Sequence, residues 1–413
     1  MPNLIQPTLF DLLDAPPESV ADAVEMLASN GSAAARGAVF TRSEVVDFVL
    51  DLVGYTTVEP LHLRRIPEPS CGAGDFLLPA IKRLLVSWRR HGGRDVSASR
   101  DLGNAVRAVE LHRETADATR HAIMMQLRKE GLSAVIASQL AGQWLVQGDF
   151  LLEPQNFHFD YIVGNPPYVR QELIPAPLQS EYRRRYQTMY DRADLYVPFI
   201  ERSLSLLTRG GTLGFICADR WMKNRYGGPL REYVSRHFHL AACIDMTGTE
   251  AFHSDVSAYP AIVILTRSSA GVTRVAHRPR VERKALASVM AEFRLEILPE
   301  NASVREMTGV VHGSAPWLLA PADQTSLIRR IESRFPGLEQ VGCRVGIGVA
   351  TGADGAFIGD FETMDVEPGR KLPLVTTRDI RSGKVAWHGL GVIQPFASDG
   401  RLVRLQDFPR LAR

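Results

Sequence analysis

Asn165-Pro166-Pro167-Tyr168 brings together an amide, two prolines and a phenol directly after Asp160-Tyr161-Ile162-Val163-Gly164. The preceding run is rich in β-forming residues and too short for a helix, so a buried strand should stop at Asn165. The two prolines forbid ladder pairing and helix formation, and Pro167 pushes Pro166 toward an extended conformation. A side-chain amide, a proline carbonyl and an aromatic ring are thereby held at the carboxyl end of a strand, where open α/β sheets bind ligands. Such a group suits the activation of a planar exocyclic amine. The Asn165 side-chain oxygen and the Pro166 carbonyl can each accept a hydrogen bond from an –NH2, while Tyr168 stacks on the ring that carries it. A turn after a core strand is the competing reading, because Asn-Pro commonly opens turns.

Three further strand ends carry polar groups of the kind a nucleotide-like ligand needs. A short strand reaches Glu68, and the turn Cys71-Gly72-Ala73-Gly74 leads into a helix with Leu77, Leu78, Ile81, Leu84, Leu85 and Trp88 on its buried side. Strand, Gly-x-Gly and helix form a cofactor turn, since glycine lets a ligand approach the backbone. The third glycine of the dinucleotide fingerprint is replaced by Leu77 and no Gly-Lys-Ser/Thr follows, so a cofactor without pyrophosphate fits better. The Glu68 carboxylate beside the turn suits a cationic ligand. A second strand, Ala105 to Glu110, ends on an acid placed to hold ribose hydroxyls. A third, from Trp144, ends in Asp149-Phe150, where Asp149 can accept from an adenine amino group and Phe150 can pack on the ring. Upstream, Phe40-Thr41-Arg42-Ser43 precedes an apolar helix that Thr41 or Ser43 can cap, and a hydroxyl at a helix N-terminus can seat a carboxylate. Each feature also fits a plain structural role: a turn, a surface glutamate, a capped core helix.

The elements that position these residues alternate as strand and helix. A helical lead-in occupies residues 1–36, stopped at Asn30-Gly31-Ser32. A helix is expected from Glu114 to Gly131 and another from Leu195 to Leu207, broken by Gly210-Gly211 before the strand Thr212–Cys217. Ala241–Asp245 and Tyr259–Leu265 read as the last two strands, with Phe252 between them near the ligand edge or buried in the core. Arg183-Arg184-Arg185 suits a phosphate-gripping loop or a solvated helix face. From about residue 270 a basic run (Arg274, His277, Arg278, Arg280, Arg283, Lys284) leads into helices and then a glycine- and β-rich stretch at 345–352, 375–380 and 391–396. The expected division is therefore a lead-in at 1–36, a catalytic domain at 37–268, and linker helices with a recognition domain at 269–413.

With 413 residues, 45% hydrophobic and 23% charged, the composition is that of a globular protein of two or three domains. No run approaches the ~18 to 20 apolar residues of a membrane span. The four cysteines are far apart and lack Cys-x-x-Cys spacing, which points to a reducing cytoplasm and away from a structural zinc site; no metal is expected. A net charge of +2 neither demands nor excludes nucleic acid.

Taken together and in this order, the motifs resemble the S-adenosylmethionine-dependent, amino-methylating DNA methyltransferases, in particular the adenine-specific gamma-type (Taq-like) group of restriction-modification systems. The resemblance covers residues 36 to 265 well and 340 to 400 loosely. It implies a Rossmann-like α/β fold with a seven-stranded sheet, helices on both faces, and a C-terminal α+β target-recognition domain. It also implies that Phe40 and Thr41 hold the methionine carboxylate, Glu68, Cys71, Gly72 and Gly74 the methionine part, Glu110 the ribose, and Asp149 with Phe150 the cofactor adenine. Asn165, Pro166, Pro167 and Tyr168 would be catalytic, with Tyr168 and Phe252 as the two aromatic walls of the base pocket. Arg42 stands where that family has proline. The implied substrate is an adenine flipped out of double-stranded DNA, and the implied partner a cognate restriction endonuclease or a specificity protein. A protein-glutamine methyltransferase, which uses a similar tetrad, and a truncated DNA-binding protein without turnover are the alternatives.

Overall fold

Four short strands end where the sequence turns polar or glycine-rich: β1 (Ile66–Glu68), β2 (Val106–Glu110), β3 (Leu145–Gln147) and β4 (Phe159–Gly164). The computed structural model describes residues 19–29, 39–154, 157–254 and 259–319, and beyond them 327, 330–331, 333–344, 346, 348–349, 351, 353–380, 383–397 and 399–412. β1 and β3 flank β2, all parallel. β4 opens a six-stranded mixed sheet of order β4-β5-β7-β6-β8-β9, completed by β5 (Leu207–Ala218), β6 (His239–Asp245), β7 (Pro260–Thr266), β8 (Thr273–His277) and β9 (Arg305–Met307). β5 is parallel to β4, and β7 runs antiparallel to both β5 and β6.

The expected seven-stranded sheet is instead recorded as sheets of three and six strands. Between β1 and β4 no ladder forms. The Arg65 carbonyl accepts from both Asp160 N (3.1 Å) and Tyr161 N (3.2 Å), and Asp160 Oδ2 accepts from Arg65 N (2.9 Å). At the far edge β8 and β9 add two strands that the sequence reading lacked.

Helices cover both faces. Along β7, Ile262 and Ile264 join one apolar cluster while Ala261, Val263 and Leu265 join the other, because successive strand side chains point to opposite faces. One cluster receives α2 (Ser43–Leu52), α3 (Leu77–Arg90), α4 (Ala98–Leu102), α5 (Arg113–Lys129), α6 (Ala134–Trp144) and α11 (Arg283–Phe293). The other receives α1 (Val20–Ser29), α7 (Ala176–Arg185), α8 (Tyr196–Ser205), α9 (Arg220–Lys223) and α10 (Gly228–His237). Each fully buried leucine or isoleucine contributes about 1.5–3 kcal/mol of transfer free energy, so these two layers dominate the fold's stabilisation.

Several expectations need correction. Arg42, not Thr41 or Ser43, occupies the N-cap of α2, and no side chain caps the helix. Gly210-Gly211 lies inside β5, in a bulge opposite Phe159 and Tyr161, rather than breaking a helix. The domain boundary placed at 268/269 falls within the sheet, because β8 pairs with β6; the chain divides into compact units after Leu327. The basic run at 274–284 is partly absorbed there: Arg274 binds Glu306 and the Phe293 carbonyl, and Arg278 pairs with Asp245. The second unit holds a small antiparallel sheet, β10 (Ile358–Asp360), β12 (Leu390–Ile393) and β11 (Lys371–Pro373), with β12 central. Residues 377–380 form a helical turn, drawn back by Asp379 accepting from Thr376 N (2.6 Å) and Thr376 Oγ1 (2.7 Å). The lead-in's expected stop at 30–32, most of 1–36, and positions 345, 347, 350 and 352 of the glycine-rich stretch lie outside the described residues.

Candidate functional site

Glu68, Glu110, Asp149 and Asn165 each sit at, or one or two residues beyond, the end of a strand, and all four open on one cavity of about 490 Å³. The size suits a small-molecule cofactor. Of the residues singled out in the sequence, Phe40, Thr41, Glu68, Cys71, Gly72, Glu110, Asp149, Phe150, Asn165 and Pro167 line it. Gly74, Pro166, Tyr168 and Phe252 do not.

The glycine turn takes its shape from left-handed backbone. Gly72 has φ 49° and Gly74 φ 92°, and a Cβ on Gly74 would sit 3.0 Å from Leu78 Cγ. Gly74 therefore shapes the turn from behind rather than facing the cavity. Gly72 N donates to Glu110 Oε2 (2.8 Å) and His112 N to Glu110 Oε1 (2.9 Å), which fixes that carboxylate across the turn. Gly164 backs onto β1: a Cβ there would lie 3.5 Å from Glu68 Cγ, so the ends of β1 and β4 are in contact and Asn165 emerges beside Glu68.

Acidic groups crowd the cavity beside the glycine turn. Burial, then the nearby Asp75 carboxylate, holds the Glu68 carboxyl well above its ordinary range, and burial raises Asp75 as well. Glu68 Oε2 is buried with no hydrogen-bond partner among the described residues. Leaving a buried acceptor unpaired costs about 1–3 kcal/mol, so a donor brought there is stabilised, and the surrounding acids favour a cationic one. Asp75 was missed in the sequence reading. It accepts Thr41 N–H at 2.9 Å, and its only local signal was an acid immediately after Gly74.

At the opposite end Asp149 is held by Leu151 N (2.8 Å) on Oδ1 and by the Tyr182 hydroxyl on Oδ2. Burial raises both groups. Tyr182 lines the cavity from α7, as do Leu27 of α1 and Phe199 of α8, the last with its ring centroid 5.3 Å from that of Phe150. These three lie far in sequence from the residues they meet, and no spacing announces them. The arginines of α7 are not free to grip phosphate as one reading held: Arg184 and Arg185 pair with Glu181, and Arg183 bonds Gln171 and the Asp191 carbonyl.

Asn165 is oriented by the segment before α2. Its Nδ2 donates to the Val39 carbonyl (2.8 Å) and to Thr41 Oγ1 (3.3 Å), while its Oδ1 is buried with no partner among the described residues. Asn165, Pro167 and Val169 line the cavity; the alternation of an extended chain places Tyr168 on the other side. There its half-buried ring lies 6.2 Å from the ring of Tyr196, and burial raises its phenol. Phe252 is 7% exposed and packed in the core, so the buried-core alternative describes its side chain rather than the open aromatic wall. Its backbone pairs with Thr41 in an antiparallel bridge. Among the described residues no group of three or more His, Cys, Asp or Glu is placed to hold a metal ion, and no helix is long and apolar enough to cross a membrane.

The profile of the Eco57I restriction-modification methylase family matches residues 107–252. The chain is 61% identical to the Type II methyltransferase M.PaeR7I of Pseudomonas aeruginosa over 95% of its length and 68% of that protein's. It is 50% identical to the Type II methyltransferase M.XhoI of Xanthomonas vasicola over 91% of the chain and 70% of the relative. In fold it is similar to a nuclease-deletion mutant of the Type ISP restriction-modification enzyme LlaGI, solved with a DNA substrate mimic (TM-score 0.54, 16% identity, 78% of this chain and 35% of that one). With identity this high over most of its length, the chain belongs to the Eco57I-type restriction-modification methylases, DNA methyltransferases that use S-adenosylmethionine.

Proposed function

We propose that this enzyme is adenine-specific: it methylates the exocyclic nitrogen of an adenine flipped out of double-stranded DNA, as the modification partner of a restriction endonuclease. The observation that carries the reading is the Asn165 amide. Its donor face is spent on Val39 and Thr41, and its acceptor is buried and unpaired. An –NH2 donor completes it and a carbonyl would not; adenine rather than cytosine is inferred from the order of the motifs.

The cofactor supplies an electrophilic methyl group on a sulfonium sulfur. In this reading Glu68 takes the ammonium, Phe40 and Thr41 the carboxylate end, and Cys71 and Gly72 face the methionine part on a turn that Gly74 shapes from behind. Glu110 takes the ribose, and Asp149 with Phe150 the adenine. Asn165 Oδ1 and the Pro166 carbonyl accept the two hydrogens of the target amine, whose lone pair is otherwise delocalised into the ring. Localising that lone pair favours attack, and the two acceptors stabilise positive charge as it develops on nitrogen. Pro167 holds the tetrad extended. Tyr168 stacks on the extruded base, offsetting part of the few kcal/mol that flipping costs; such stacking is worth about 1–3 kcal/mol.

Arg170 and Arg220 are candidates to meet backbone phosphates. Both are exposed, neither has an ion pair among the described residues, and their charges offset part of the upward shift that burial gives Asp194. The second compact unit, residues 328–413, is proposed as target-recognition structure.

The test is transfer of a tritiated methyl from S-adenosylmethionine to unmethylated bacterial DNA, RNA and a release-factor protein, with nucleoside analysis. N6-methyladenine in DNA is the expected product. Methylcytosine would overturn adenine specificity, and label in protein glutamine would move the substrate to a side-chain amide.

A further inference from the structure

We propose that Thr41 is a positioning residue that sets the Asn165 amide and couples filling of the cofactor cavity to capture of the target amine. This rests on the adenine reading above. An asparagine amide presents acceptor and donor faces of almost the same shape, and only the acceptor face can meet an –NH2. Packing alone does not distinguish them; hydrogen-bond partners do. The Val39 carbonyl can only accept, so its 2.8 Å contact demands Nδ2 there and turns Oδ1 the other way. Thr41 Oγ1, 3.3 Å from Nδ2, accepts from the same group.

Thr41 is itself held from three sides. Its N–H donates to Asp75 Oδ2 at 2.9 Å. Arg42 N donates to the Ala251 carbonyl (3.0 Å) and His253 N to the Phe40 carbonyl (3.1 Å), locking this segment to the one that carries Phe252. Arg42 adds a side-chain bond to the Phe252 carbonyl (3.3 Å) and an ion pair with Glu250 (2.9 Å). The arginine that replaces the family's proline thus fastens the platform on which the amide is set.

Thr41 is 3% exposed and lines the cavity. Because its oxygen accepts from Asn165, its hydroxyl hydrogen remains to donate to an acceptor brought into the cavity. Nδ2–H to Oγ1, and Oγ1–H to that acceptor, make a two-bond chain in which each bond polarises the next. An acceptor bound in the cavity therefore tightens the hold on Nδ2 and fixes Oδ1 toward the base. A variant without the hydroxyl keeps the Val39 contact and loses the link.

The experiment compares wild type, Thr41→Val and Thr41→Ser on a duplex that the transfer assay identifies as substrate. 2-Aminopurine replaces the methylated adenine, so its fluorescence reports extrusion with and without S-adenosylhomocysteine. Calorimetry measures affinity for that product, and single-turnover rates are taken at saturating cofactor. Wild type should extrude the base more fully when the product is bound. Thr41→Val should lose that enhancement and transfer about tenfold more slowly at saturation, the upper end of what one hydrogen bond contributes, and Thr41→Ser should restore both. A Thr41→Val enzyme that recovers the full rate at saturating cofactor overturns the proposal and leaves Thr41 a cofactor ligand only. Unchanged enhancement in Thr41→Val overturns it as well. A Thr41→Val enzyme that does not fold leaves Thr41→Ser and the cofactor dependence of wild-type extrusion to decide, and wild-type extrusion indifferent to the product rejects the coupling. Failure of the wild type to methylate any DNA adenine would instead remove the reading beneath it.

Discussion

At the scale of single residues, the buried unpaired acceptors Glu68 Oε2 and Asn165 Oδ1 are proposed to do different work, and their variants should separate. Asn165→Ala should abolish methyl transfer while leaving S-adenosylmethionine affinity nearly unchanged, measured by single-turnover rate and calorimetry; a large loss of affinity would move Asn165 out of catalysis. Glu68→Gln should do the reverse, weakening the cofactor first. Glu68 also sets a pH dependence. In the ligand-free protein it keeps its proton to higher pH than an ordinary glutamate, because burial and Asp75 raise it. A cationic ligand needs the anion, so binding releases a proton, and affinity should rise with pH until the raised value is passed. Ligand-free stability has the opposite slope. The folded state holds a proton the unfolded chain has lost, so stability falls as pH rises from the usual 4.5 through the raised value. Calorimetry in buffers of different ionisation enthalpy reads the released proton, and the dependence should flatten in Glu68→Gln.

At the scale of elements, the glycine turn between β1 and α3 and the contact of α7 with Asp149 are the joints of the cavity. Gly74→Ala should destabilise by about 1–2 kcal/mol for its left-handed backbone, with more from the 3.0 Å approach to Leu78. Gly72→Ala meets no atom within 4 Å and carries the backbone cost alone, so its melting temperature should fall less. Tyr182→Phe removes the hydroxyl that holds Asp149 Oδ2. It should lower cofactor affinity several-fold with little change in the saturated rate, since its partner Asp149 is proposed to bind the cofactor and not the target amine. Equal loss of rate at saturation would place Tyr182 in the transfer step.

At the scale of the whole molecule, charge placement matters more than the net +2. Arg170→Ala with Arg220→Ala should weaken DNA binding, reduce the slope of log affinity against log salt by about 2, and leave cofactor affinity unchanged. An unaltered slope would place the phosphate contacts elsewhere. The strand ends and their chemistry were legible in the sequence because they are local: β-formers stop at Glu68, Glu110 and Gly164, and prolines or glycines shape the turns beyond Glu68 and Gly164. The helical face of α3 was legible for the same reason. Features that could not be read locally depended on long-range partners. β8 looked like the start of another domain because the basic run hides a strand: Arg274 within it is paired with Glu306, and Arg278 just beyond it with Asp245. Gly210-Gly211 looked like a breaker because a bulge needs its partner strand to be visible. Tyr182 and Asp75 entered the cavity, and Phe252 went into the core, through packing between segments up to some 210 residues apart. Local sequence was enough to set the chemical groups and the strand ends that present them. Which face of the Asn165 amide remains free is a tertiary choice, because it is made by Val39 and Thr41, more than 120 residues upstream.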